Sequence, residues 1–185
     1  MHPSFLAASL SSFALALAGC AVVPVPVASP ASSAQALAPA PAPTGSHTHG
    51  VATAEVRYAY NQLLITLNSP TEHLLGFEGM PQTPNEKEQI QKLADKLMNP
   101  ALMFVPDAKA RCRSTSTQVA PPTYGGNGHS DVTVDYRFEC GSMPTAIGVM
   151  MFDTYRNLRQ LNVNVAVPRI LRQLALTPGQ DILLQ

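Results

Sequence analysis

The stretch that decides the fold is Val132-Thr133-Val134-Asp135-Tyr136-Arg137-Phe138-Glu139-Cys140. Apolar and polar residues alternate along it without a break, which is the pattern of a β-strand that buries one of its two faces. The buried face is expected to carry the apolar residues, which are Val132, Val134, Tyr136, Phe138 and Cys140. The sequence therefore predicts a sheet in which this strand packs against a core.

Further strand candidates lie on both sides of this stretch. Residues 51–60 and 63–68 are rich in β-branched, aromatic and aliphatic side chains and flank Asn61-Gln62, which predicts a β-hairpin that turns at those two residues. The dipeptide Ser69-Pro70 is expected to end the second strand. Other strands are predicted at residues 102–105, 110–119, 146–152, 158–167, 171–176 and 182–184.

One long helix is predicted at about residues 84–98. Thr83 is suited to the N-cap and Pro84 to the first helical position, and Glu86 stands where a capping box requires an acid. The apolar residues of one helical face are Ile90, Leu93, Ala94 and Leu97. With the strands, this helix indicates an α+β fold, a mainly antiparallel β-sheet with one principal capped helix packed on it.

The start of the chain resembles a bacterial lipoprotein signal. Residues 5–18 are apolar, too few to span a bilayer but enough for a signal-peptide core. They lead into Leu17-Ala18-Gly19-Cys20, which resembles a lipobox, so we expect a signal peptide at 1–19 and lipid on Cys20. Acyl chains of the palmitate type would then anchor the protein to a membrane. Since Ala21 and not Asp follows, the resemblance implies the outer membrane, facing the periplasm; the alternative is an uncleaved secretory signal.

Residues 20–46 are expected to form a tether, because they are almost wholly Ala, Pro, Val and Ser without apolar periodicity. Residues 47–185 then form a single domain. Within it, Cys112 and Cys140 form no CxxC motif. Pairing of the 110–119 strand with the alternating strand would bring them together, so in an oxidising compartment we predict a structural disulfide.

Charge and motifs exclude several classes of function. The chain has twelve basic and twelve acidic residues, so it offers no electrostatic case for binding nucleic acid. It has no Gly-rich phosphate loop, no HExxH and no GxSxG, so we expect no enzyme activity.

Metal-ligating residues are the more suggestive group. His47 and His49 stand two apart at the start of the domain, where an extended backbone directs both imidazoles to one side, as chelation of Zn²⁺ requires. Further ligands would have to come from elsewhere in the chain. The candidates are His73, Glu78, His129, Asp131 and Asp135. The alternatives are that the histidine pair is merely solvated, and that Glu78 binds loop amides instead of a metal ion.

The order of several segments resembles the ZrgA family of periplasmic zinc-uptake proteins. The segments are His47-Thr48-His49-Gly50, residues 63–70, Leu75-Gly76-Phe77-Glu78, Asn99-Pro100, Cys112, His129-Ser130-Asp131, Tyr136-Arg137-Phe138-Glu139-Cys140 and Leu176-Thr177-Pro178. They cover about residues 46–184. Members commonly carry His directly after Gly-Phe-Glu and a long His-rich loop; here Gly79 takes the first place and the loop is short.

The resemblance implies a domain that binds Zn²⁺ and helps deliver it to an uptake transporter component. The implied ligands are His47 and His49, then His129, then Glu78 and Asp131. Coordination requires neutral imidazoles, so affinity is expected to fall below about pH 6.5, where histidine side chains in general become protonated. The main alternative is a structural or interaction lipoprotein of the envelope that keeps the fold without metal binding. A hydrolytic zinc enzyme ranks last, because no general base stands beside an open metal position in the pattern.

Overall fold

The computed structural model describes residues 48–126 and 128–185. The predicted signal peptide, Cys20, the tether and His47 lie outside these residues. The strands are β1 (Val51–Ala59), β2 (Gln62–Pro70), β3 (Phe104–Pro106), β4 (Arg113–Val119), β5 (Thr123–Tyr124), β6 (Ser130–Glu139), β7 (Ala146–Val149), β8 (Gln160–Val167), β9 (Ile170–Leu176) and β10 (Ile182–Leu183). The helices are α1 (Thr71–Leu75), α2 (Pro84–Leu97) and α3 (Met151–Thr154), with 3₁₀ turns at Pro100–Leu102 and Ala108–Ala110.

The strands form two sheets. The larger has the order β4-β6-β2-β1-β8-β9, and β5 pairs with β6 beside β4. Its pairs are antiparallel except β1 with β8. The smaller sheet has the order β10-β7-β3 and is antiparallel. This architecture confirms the predicted α+β class with a mainly antiparallel sheet.

The alternating stretch of residues 132–140 forms most of β6, which lies inside the larger sheet between β2 and β4. Every apolar residue predicted for its inner face is buried. Tyr136 is fully buried and meets the edge of Phe104 from β3, with ring centroids 5.7 Å apart. Burial raises the pKa of the Tyr136 hydroxyl. Because Phe104 belongs to the smaller sheet, this contact joins the two sheets through one core.

The principal helix is confirmed at Pro84–Leu97. The Thr83 hydroxyl accepts a hydrogen bond from the Glu86 amide at 3.2 Å, and the Glu86 carboxylate accepts one from the Thr83 amide at 2.9 Å. Leu93 and Leu97 are buried in the core. No helix in the described ranges has the length and apolar character needed to cross a membrane.

The hairpin of β1 and β2 turns one residue earlier than predicted. Ala59 pairs with Gln62, so the two turn residues are Tyr60 and Asn61, with φ angles of 51° and 62°. Left-handed φ at both positions is the backbone of a type I′ hairpin turn, whose twist matches the flanking strands. The prediction of a turn at Asn61-Gln62 is therefore wrong by one residue, and the whole register of the hairpin changes with it.

Several predicted strands are shorter than expected, and for three of them the structure shows which conformation takes the place of the missing residues. Asn99 accepts a hydrogen bond from the Ala101 amide and caps a 3₁₀ turn, so β3 begins only at Phe104. Arg111 has a φ of 51°, which no strand residue adopts, so β4 begins at Arg113 and not at 110. The strand predicted at 146–152 ends at Val149, and α3 follows from Met151.

The predicted disulfide is present between Cys112 and Cys140. Arg113 pairs with Glu139 at the end of the β4–β6 ladder, and the two cysteines are the next residues in the same register. Their Cα atoms lie 3.9 Å apart. The disulfide therefore fastens this end of the ladder.

The Asp107 carboxylate joins two segments that are distant in sequence. It caps the 3₁₀ turn by accepting from the amides of Lys109 and Ala110, and it also accepts from the amides of Thr145 and Ala146. The bond from the Thr145 amide, at 2.6 Å, is the main reason why the pKa of Asp107 lies below its ordinary value. The ionised carboxylate therefore holds the start of β7 against this turn.

Replacement of Asp107 by Asn is expected to lower the free energy of unfolding by about 1 kcal/mol at neutral pH, the usual size of a helix-cap loss. The pKa is lower in the folded state, so the stabilisation exists above the unfolded-state pKa of about 3.9 and disappears as the pH falls through the folded-state value. The difference between Asp107→Asn and the unmodified protein should therefore shrink in acid. Urea unfolding between neutral and acidic pH measures it, with Asp153→Asn as a control on an exposed carboxylate. A difference that grows in acid would contradict this account.

Candidate metal centre

The open end of the β1–β2 hairpin brings the His49 region next to α1. Thr53 pairs with Asn68 in the ladder, and the same register continued by four residues places His49 opposite Glu72. The helix α1 begins at Thr71, directly after the last residue of β2. Glu72 and His73 therefore lie on the first turn of this helix, across from the residues that lead into β1.

Two hydrogen bonds join these segments. The Nδ1 atom of His49 lies 2.8 Å from the Oε2 atom of Glu72. The amide of Gly50 donates to the Nε2 atom of His73 at 2.6 Å. The side chain of His49 and the backbone amide of Gly50 thus each contact a side chain of α1.

Two features favour glycine at position 50. Its φ is 80°, a conformation that L side chains rarely adopt, and an added Cβ would lie 3.3 Å from the Cγ atom of Arg159. Its carbonyl accepts hydrogen bonds from the amides of Arg159 and Gln160, at the start of β8. The backbone beside His49 is therefore held between α1 and β8.

His49, Glu72 and His73 together form a three-donor cluster. One ligand atom of each lies within 4.8 Å of the others. Donors around tetrahedral Zn²⁺ stand about 3.3 Å apart, as follows from metal–ligand distances of about 2.0–2.1 Å. If side-chain rotation moved the donor atoms by about 1 Å, they would reach the spacing that one ion requires. His73 is buried, whereas the side chain of His49 is 76% exposed and that of Glu72 36% exposed, so the donors run from the protein interior to solvent.

A cavity of about 330 Å³ adjoins the three donors. Its lining consists of His49, Gly50, Glu72, His73, Gly76, Asn157 and Arg159. Glu72 is the single acidic residue in this lining and Arg159 the single cationic one, apart from the histidines. The cavity therefore combines metal donors with one guanidinium and one amide.

A second contact between histidine and carboxylate lies beyond the other end of α1. The Nδ1 atom of His129 lies 2.6 Å from the Oε2 atom of Glu78, and both side chains are at least two-thirds buried. The next residue, Ser130, contacts the Thr71 hydroxyl and accepts from the Gly79 amide at 3.1 Å. In the described part of the chain, three candidate donors lie within mutual reach at His49, Glu72 and His73. The pair of His129 and Glu78 does not belong to such a group.

The model of the ZrgA family, described as zinc uptake proteins, matches residues 46–184. The chain belongs to the ZrgA family. A comparison with curated proteins finds no match. The three-donor cluster lies within the matched residues, and the family description indicates a role in zinc uptake and a location outside the cytoplasm.

The ligands predicted from the sequence fall in different places of this ZrgA domain. His49 belongs to the three-donor cluster, and His129 and Glu78 contact each other. Asp131 lies in β6, where it pairs in register with Pro70 and Thr123, and it is not one of the three clustered donors. His47 lies outside the described residues.

Glu72 is the cluster residue that the sequence analysis missed, and His73 was only a candidate among several. The sequence feature that could have pointed to Glu72 and His73 is the register of the β1–β2 hairpin. It requires the turn to be placed at Tyr60-Asn61, because only then does His49 stand opposite Glu72.

Proposed function

We propose that this ZrgA family protein binds Zn²⁺ through His49, Glu72 and His73 and holds the ion for uptake. The proposal rests above all on one observation: two imidazoles and one carboxylate present ligand atoms within 4.8 Å of one another. Two nitrogen donors and one oxygen donor suit Zn²⁺, which takes histidine and carboxylate ligands in tetrahedral sites. Three protein ligands leave the fourth position for water or another molecule.

The contacts of the cluster indicate how the ion would be received. The His49 Nδ1 atom and the Glu72 carboxylate are already in contact, and an ion bound between them would take the place of the proton they share. An ion on the Nε2 atom of His73 would take the lone pair that now accepts the Gly50 amide. Zinc binding would therefore rearrange the backbone at Gly50, which leads out of the domain toward the proposed tether.

The same proposal places the domain on a membrane. Leu17-Ala18-Gly19-Cys20 supports acylation of Cys20, and the Ala/Pro-rich residues 20–46 would space the domain from the lipid. The protein would then be a lipoprotein that faces the periplasm and passes or buffers Zn²⁺ for a zinc-uptake transporter component. Function by coordination, without turnover, agrees with the absence of catalytic motifs from the sequence.

Calorimetric titration of the purified protein with Zn²⁺ tests this function. We expect one site with a dissociation constant well below about 100 µM, because weaker binding is typical of scattered surface histidines. In parallel, the amide resonance of Gly50 should shift as zinc saturates the site. Binding no tighter than about 100 µM would remove the zinc proposal and leave the alternative, an envelope lipoprotein that keeps the fold for interactions.

A further inference from the structure

The cavity beside the three donors contains groups that zinc coordination does not use. Arg159 lines it, and the aliphatic part of that side chain passes over Gly50, next to His49. Among the described residues, the arginines that form ion pairs are Arg57, Arg113 and Arg137, and Arg159 is not one of them. The Asn157 amide lines the same cavity. Both groups can donate hydrogen bonds to an anion.

The charges in this cavity become unbalanced when a divalent ion enters. The ion carries two positive charges, and Glu72 supplies the one negative charge of the lining. Arg159 adds a further positive charge beside it. A loaded site would therefore carry an excess of about two positive charges in a partly enclosed space, where electrostatic interactions are stronger than in bulk water.

We propose that the site binds its metal ion together with a small carboxylate, which takes the fourth coordination position and is held by Arg159 and Asn157. This inference rests on the proposed zinc site. A planar guanidinium matches the two oxygens of a carboxylate, and the second oxygen can remain on the metal. At about 330 Å³ the cavity falls at the lower end of small-molecule sites. The cargo is therefore a metal–carboxylate complex and not the bare ion.

Titration of the Co²⁺-loaded protein with malonate tests the proposal, because the visible bands of Co²⁺ report changes among its ligands. We expect malonate to shift the bands with a saturating curve. Arg159→Gln should weaken malonate binding about tenfold, as the loss of a charge-assisted hydrogen bond predicts. Arg156→Gln is the matched control, because Arg156 is exposed in the same loop and does not line the cavity. Metal affinity without malonate should not fall in either variant, because neither arginine supplies a metal ligand and the charge of Arg159 opposes the ion.

The outcomes separate this inference from the proposed function. If Co²⁺ and Zn²⁺ fail to bind, the metal site itself is refuted and this inference with it. If metal binds but the bands do not respond to malonate, the carboxylate inference is refuted and the metal site stands. The same holds if Arg159→Gln and Arg156→Gln bind malonate equally well. A response to inorganic phosphate but not to malonate also overturns it, because the site would then select a different anion.

Discussion

Replacement of Glu72 by Gln is expected to weaken Zn²⁺ binding about 100-fold or more. Glu72 is the only anionic member of the three-donor cluster, so the substitution removes the charge that offsets the ion and keeps the side-chain volume. Loss of groups that merely orient metal ligands already costs about 10- to 100-fold, and loss of a ligand should cost at least the upper value. Calorimetric titration of the variant with Zn²⁺ measures the effect.

Glu78→Gln is the matched control for this substitution. Glu78 also contacts a histidine Nδ1 atom, that of His129, but among the described residues this pair does not belong to a group of three clustered donors. We expect the control to keep zinc affinity within about twofold, since no coordinating atom is removed from the cluster. A larger loss in Glu78→Gln than in Glu72→Gln would move the site to His129 and Glu78, two of the five ligands that the family resemblance implies.

Removal of the disulfide is expected to lower the free energy of unfolding by about 3 kcal/mol. The bond closes a loop with a sequence separation of 28 residues, and Cys140 is buried in the core. The variant Cys112→Ala with Cys140→Ala loses this cross-link without leaving a free thiol. The midpoint of urea unfolding should fall, and the slope should rise because the unfolded chain exposes more surface without the cross-link.

The same variant should keep its zinc affinity wherever it remains folded. The disulfide lies at the end of β6, whereas the three-donor cluster adjoins the other end of its neighbour β2, where Pro70 pairs with Asp131. Ten residues of strand separate the two ends, roughly 30 Å at about 3.3 Å per residue. A destabilisation below about 0.5 kcal/mol, the size of an ordinary surface substitution, would show that the bond does not stabilise the fold.

Much of the fold is predictable because single residues specify local structure. The alternation along β6 identifies its buried face, and the capping box of Thr83 and Glu86 fixes the start of α2. The pairing of Cys112 with Cys140 follows once β4 and β6 are adjacent. In each case a side-chain pattern acts within one strand, helix or strand pair.

The metal cluster is harder to predict because it depends on strand register. A turn at Asn61-Gln62 would pair Tyr60 with Leu63, and continuation of that register places His49 opposite Leu74. The observed turn at Tyr60-Asn61 places it opposite Glu72. A shift of one turn residue thus changes which part of the chain faces His49, because pairing across a hairpin moves by two residues.

The short helix α1 escapes prediction for a different reason. It has five residues and no side-chain cap, so no periodic pattern or capping signal marks it. It ends at Gly76, whose φ of 83° allows the left-handed C-cap. Tertiary contacts hold it, including the one between the hydroxyls of Thr71 and Ser130 and the hydrogen bond from the Gly50 amide to His73.

The most direct test of the central claim is the position of zinc in crystals of the Zn²⁺ complex, located by anomalous scattering at the zinc absorption edge. The account predicts one strong peak about 2.0–2.2 Å from donor atoms of His49, Glu72 and His73. A peak bound by His129 and Glu78 without those three residues would contradict it, as would zinc found only at contacts between molecules.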